Sequence, residues 1–176
     1  MVRGILSCAA GLLALAAFSL PAAAEPSVIA FVSGPLAGAT AEDVKHEEDN
    51  NLAERGTQVT ETAVFRSNGL VAWVQWSRLG GNYVWRQDDL DGFTDNVRQA
   101  LKATGAKVIS GDRITVSGFS AQYRNVDLIG TPNRCGIFDL GRGKNSIIGF
   151  ACRRDGQAVA VPAILQGLSV RNVIEP

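Results

Sequence analysis

Few side chains in this sequence are of types that do chemistry, and their spacing decides what they can do. His46 is the only histidine and lies within Lys45-His46-Glu47-Glu48-Asp49. A catalytic imidazole needs a fixed neighbour to orient it, so a charged surface histidine is the better reading there. Asp112, Asp127 and Asp139 lie in or beside strand-like runs and could form an acid/base pair. Asp139 alone falls among apolar neighbours, a setting that suits a proton donor; pairing with an arginine or a turn amide at a sheet rim is the preferred reading. Gly141-Arg142-Gly143-Lys144-Asn145 invites a phosphate-loop interpretation. It fails on spacing, because Phe138 stands where the first glycine is needed and Asn145 replaces the hydroxyl residue that would hold magnesium. No catalytic residue and no cofactor is assigned.

Trp73, Trp76, Tyr83 and Trp85 crowd into 13 residues. Rings on a sheet face suit sugar stacking or peptide binding, so Trp73 and Trp85, with Arg66 and Arg86 nearby, form the candidate binding set. The competing reading is ordinary core covered by a helix.

The elements that must position these residues follow from pattern. Cys135 and Cys152 are placed symmetrically about a two-residue loop, Gly143-Lys144, which pairs Cys135 with Cys152, Ile137 with Phe150, Phe138 with Gly149 and Leu140 with Ile147. The cysteines then fall on a non-hydrogen-bonded rung of a β-hairpin, where a cross-strand disulfide is possible. Bonding them removes cysteine nucleophiles. With one histidine besides, no nitrogen and sulfur shell for a metal remains.

Asn68-Gly69 centres a second hairpin, residues 57–66 with 70–77, placing Phe65/Ala72, Ala63/Val74 and Glu61/Trp76 on the core face and Val64/Trp73 on the other. A third meander strand is expected at Tyr83-Val84-Trp85. Asp88-Asp89 opens a helix over about 88–104 with an apolar stripe of Leu90, Phe93, Val97, Ala100 and Leu101, closed by Gly105. Lys107-Val108-Ile109 and Arg113 to Ser117 read as strands around a Ser110-Gly111-Asp112 turn. Gly118 reads as a bend, Gln157 to Val161 as a strand, and Pro162 starts a short C-terminal helix. At the front, 27–32 reads as a strand, and 40–55 as either a solvated helix or a mobile acidic loop. The order predicts an α+β domain: an antiparallel sheet of hairpins and meanders with one main amphipathic helix on it.

Residues 1–24 have the form of a signal peptide: Arg3, an apolar run from Ile5 to Leu20, and an Ala22-Ala23-Ala24 cleavage site. Cleavage after Ala24 discards Cys8 and leaves two cysteines in a single domain of residues 25–176, bound for the periplasm or secretion, with no transmembrane segment. The charge is zero overall but uneven. Lys plus Arg against Asp plus Glu is 6 against 12 over residues 25–100 and 10 against 5 over 101–176. The basic residues lack the aromatic interleaving of a nucleic-acid module, and neutralisation between the halves is the simpler reading.

Cys135-Gly-Ile-Phe138, then Gly149-Phe-Ala-Cys152, Asp155-Gly156 and a terminal apolar segment together resemble the C-terminal hairpin of small secreted alphaproteobacterial proteins of unassigned function, over about 40 residues. The resemblance implies a bacterial periplasm and transfers no catalytic residue. The sequence thus leads to the expectation of a non-enzymatic exported protein that binds a protein or glycan in the envelope. The alternatives are a carboxylate-based hydrolase of glycans and a subunit of an envelope assembly.

Overall fold

The computed structural model describes residues 26–49, 57–81, 84–87, 89–171 and 173. The proposed signal peptide, with Cys8, lies outside the described residues. Nine strands and two helices follow in the order β1 (Ile29–Phe31), β2 (Glu42–Asp49), β3 (Gln58–Ser67), β4 (Leu70–Leu79), α1 (Leu90–Ala100), β5 (Gly105–Val116), β6 (Phe119–Ile129), β7 (Arg134–Arg142), β8 (Asn145–Arg153), α2 (Val161–Gly167) and β9 (Leu168–Val170). Seven strands make one antiparallel sheet in the order β2-β3-β4-β8-β7-β6-β5, and β1 pairs with β9 in a small second sheet. The protein is α+β, as the hairpin-rich pattern predicts.

Tight two-residue turns set the sheet. Asn68 and Gly69 both take positive φ (46° and 75°), the twisted two-residue turn that matches the right-handed twist of flanking strands. Ser117 and Gly118 repeat it between β5 and β6 (47° and 78°). Both predicted registers hold: Phe65 faces Ala72 and Ala63 faces Val74, while Cys135 faces Cys152, Ile137 faces Phe150 and Leu140 faces Ile147. The Cys135 and Cys152 Cα atoms are 4.1 Å apart and the sulfurs are bonded.

Alternation then divides the core in two. On one face, Phe65, Ala72, Val74, Phe138, Leu140 and Ile147 are buried beneath α2, β1 and β9, with Phe31 edge-on to Phe65 at 4.9 Å. A side chain on Gly136 could not coexist with this layer, since a Cβ there would lie 2.1 Å from Val161 Cγ2. On the opposite face, Leu90 and Val97 of α1 pack with Val126, Leu128, Ile137 and the disulfide. Asp89 caps α1 by accepting from the Asp91 amide, and Asp91 occupies the positive end of the dipole.

Five expectations are corrected. Residues Glu42–Asp49 are neither helix nor mobile loop but an edge strand; an edge needs few buried residues, here Val44 against the core, and outward charge discourages further pairing. The rest of that segment, 50–56, lies outside the described residues. Val84–Gln87 form no strand, and Tyr83 is outside the described residues; β4 is paired instead along nine residues by β8, a far longer ladder than a three-residue run could supply. Ser110-Gly111-Asp112 is not a turn, because pairing with β6 carries β5 straight through it, with only a register shift between Val108 and Ser110. The helix ends at Ala100 rather than near Gly105, and the chain reverses at Lys102 (φ 55°), so Gly105 already begins β5. Finally, 157–160 is not a strand, because β8 has neighbours on both sides; Val161 instead starts α2, with Pro162 in its first turn.

Candidate functional site

Helix α1 packs over β5, β6 and β7. The rest of that face, formed by β3, β4 and β8, is left as the floor of a groove beside the helix end. Its volume is about 520 Å³, and it is lined by Val64 and Arg66 of β3, Val71 and Trp73 of β4, Phe150 and Cys152 of β8, Leu101 after α1, Asn133, Gly69 and Arg154. That volume is in the range of small-molecule sites.

The floor follows from register. Trp73 faces Phe150 across the β4–β8 ladder, and their rings lie at 6.0 Å with only 19° between planes. Phe93 of α1 lies 6.2 Å from the Trp73 ring, tilted by 37°. The result is a half-buried pair of nearly parallel aromatic rings. Arginines stand at its rim. Arg66 Nε meets Glu42 Oε2 at 2.9 Å, and among the described residues its two terminal nitrogens make no further ion pair. Arg153 is clamped by Asp155, and this contact holds the Asp155 carboxyl down to about 2 and raises the Arg153 guanidinium. Arg154, the next residue, is exposed and has no ion-pair partner among the described residues.

The four binding residues expected from sequence are split. Trp73 and Arg66 meet in the groove. Trp85 lies at the other end of the sheet in the strap 84–87, where its amide donates to Gly143 O at 2.6 Å. Its ring occupies the space over Gly141, whose Cβ would lie 2.2 Å from Trp85 Cδ1, and its buried Nε1 finds no acceptor among the described residues. Arg86 is exposed on the same strap. Phe150, Arg154, Asn133 and Leu101 were missed, because β8 was not recognised as the neighbour of β4. Given that pairing, the two hairpin registers alone would have brought Phe150 to Trp73.

The acidic candidates do not converge on the groove. Asp127 pairs with Arg134 at 2.9 Å. Asp112 is exposed and accepts from the Arg113 amide at 2.7 Å, beside a shallow polar hollow that also holds Tyr123 and Arg124. Arg124 is itself gripped by Asp89 and Asp91 at the start of α1; its hydrogen bond lowers the Asp91 carboxyl and in turn raises Arg124. Asp139 is 2 % exposed, not at a rim, and its backbone carbonyl accepts from Gln87 Nε2 of the strap at 3.1 Å. Among the described residues, no cluster of three or more His, Cys, Asp or Glu side chains gathers.

His46 is exposed, as expected of a surface histidine, but it also lies beside a buried carboxylate. It projects from β2 over Glu61, whose side chain is 1 % exposed. Glu61 Oε1 accepts from the amides of Val28 at 2.9 Å and Ile29 at 3.3 Å and from the Ser27 hydroxyl. His46 Nδ1 sits 3.2 Å from Oε2 without aiming a hydrogen at it. Serine, carboxylate and histidine thus meet with the carboxylate in the middle. A nucleophilic triad needs the histidine in the middle, so this trio ties the N-terminal segment to the sheet and activates nothing.

No protein-family model matches this chain, and neither curated proteins nor solved structures include a significant match.

Proposed function

We propose that this chain is an exported, non-enzymatic protein of the bacterial periplasm or envelope, and that it acts by binding a glycan in the groove over Trp73 and Phe150. The observation that carries this reading is the aromatic pair: two nearly parallel, half-buried rings, Trp73 and Phe150, in an open trough flanked by guanidinium and amide donors. The C–H face of a pyranose is apolar and flat while its edge is hydroxylated, so it stacks on rings and hydrogen-bonds at a rim. The signal-like N-terminus, the Cys135–Cys152 bond and the hairpin's likeness to small secreted alphaproteobacterial proteins support the oxidising address. Among the described residues, no helix is long and apolar enough to cross a membrane.

Two other readings draw less support. A glycan hydrolase needs two carboxyl groups flanking its substrate; none lines the groove among the described residues, and Glu42, Asp89, Asp91, Asp95, Asp127 and Asp155 each hold an arginine. A subunit of an assembly would need an uncovered apolar face on β4, yet α2 and the small sheet cover one face, and Phe93 packs near Trp73 on the other. A protein partner remains the second reading, favoured by Val64, Val71 and Leu101 in the groove lining. The test is an array of bacterial envelope and exogenous glycans probed with the oxidised protein and with Trp73→Ala. Selective binding that disappears in the variant is expected. Equal retention of glycans by both proteins, or none by either, would refute the reading.

A further inference from the structure

We infer that the glycan is acidic: a hexuronate ring lies on the Trp73–Phe150 pair with its carboxylate held by Arg154 and Asn133, and Arg66 serves the neighbouring ring. This deepens the glycan reading and rests on it. The charge of the lining is the first argument. Both ionic side chains that line the groove are arginines, Arg66 and Arg154. Arg66 is tied at Nε to Glu42, whereas Arg154 is exposed at the groove with no ion-pair partner among the described residues, so its guanidinium is open to an anionic ligand.

Asn133 supplies the second argument. Its backbone is fully used, the carbonyl accepting from Leu128 N at 3.1 Å and the amide donating to Thr131 Oγ1 at 3.2 Å, which fixes the residue at the groove wall. Its side-chain amide makes no hydrogen bond among the described residues and faces the lining. A guanidinium with a neighbouring amide is the donor set that a carboxylate accepts from, and planar bidentate pairing makes arginine the suited cation. Aromatic rings beside rim donors in an open groove argue for a sugar over an acyl chain, which would gain more from an enclosed apolar tunnel.

The experiment is calorimetric titration of the oxidised protein with trigalacturonate, neutral galactotriose, a sulfated galactotriose, decanoate and an acidic peptide, at low and high salt. The expected result is trigalacturonate binding at least about tenfold tighter than galactotriose, since one charge-assisted pair is worth about that much, with a preference that shrinks at high salt. Arg154→Ala should abolish the preference with an unchanged circular dichroism spectrum; Arg66→Ala should reduce it. Equal affinity for galacturonate and neutral trimers overturns the acidic inference and leaves the glycan reading standing. Equal affinity for the sulfated trimer overturns the assignment to a carboxylate. Binding of decanoate or peptide without any sugar overturns both the inference and the reading beneath it.

Discussion

Replacing Glu61 tests the most unusual bond in the scaffold, a buried carboxylate that holds the N-terminal segment against the sheet. In Glu61→Ala, the Val28 amide loses its acceptor outright, the Ile29 amide keeps only Ser27 Oγ at 3.1 Å, and the Ser27 hydroxyl loses a charged partner. A buried donor left unpaired costs about 1–3 kcal/mol, and a bond to a charged group contributes about 1.5–3 kcal/mol. One full and two partial losses, with the cavity left by a buried side chain, give about 3–5 kcal/mol. Glu61→Gln keeps an acceptor oxygen and should cost about 1–2 kcal/mol. His46→Ala, at a side chain 45 % exposed and not aligned for a hydrogen bond, should cost less than about 1 kcal/mol. Guanidinium unfolding of the oxidised protein measures the ranking, and amide exchange at Val28 and Ile29 locates the damage. An alanine variant within about 0.5 kcal/mol of wild type, with unchanged exchange at both amides, would refute the staple.

Four further outcomes are expected. Reducing the Cys135–Cys152 bond, whose cysteines are 17 residues apart, should lower stability by about 3 kcal/mol in the chain-entropy account; an unchanged denaturation midpoint under reductant would contradict it. Mass spectrometry of the exported chain should find residues 1–24 removed and two hydrogens missing, whereas retention of Met1 or two free thiols would overturn the address. The Asp155 carboxyl should titrate near 2 and return towards 3.8 in Arg153→Ala; because its folded value is depressed, its contribution is complete above the unfolded value and disappears as pH falls from about 4 to about 2, which carboxyl NMR can follow. Gly141→Ala should push the Trp85 ring off the sheet, seen as a red-shifted tryptophan emission; an unshifted spectrum would mean that the strap yields without moving the ring.

What was legible in the sequence was local. Asn68-Gly69 and Gly143-Lys144 fix their hairpins because glycine and asparagine adopt positive φ cheaply, and strand alternation then dictates which residues share a face. What was hidden was the neighbourhood between hairpins. Nothing local states that β8 lies beside β4, so the pairing of Trp73 with Phe150 could not be foreseen, and Trp85, close in sequence, was grouped with Trp73 although the strap carries it to the other end of the sheet. The acidic strand β2 escaped for a related reason: an edge strand is held by one neighbour, and its composition is that of a solvated segment. Glu61 was placed on the core face correctly, but its partners at residues 27–29 and 46 come from two other segments. Tertiary pairing overrode the turn chemistry of Ser110-Gly111-Asp112 for the same reason.

The claim that the groove is the working surface is tested most directly by titrating the isotopically labelled, oxidised protein with trigalacturonate and following its backbone and indole resonances. Saturable shifts confined to Val64, Arg66, Val71, Trp73, Phe150, Asn133 and Arg154 are predicted, with Trp85 and Arg86 unmoved. Shifts centred on the 84–87 strap or on the polar hollow by Asp112, or none at all, would contradict it.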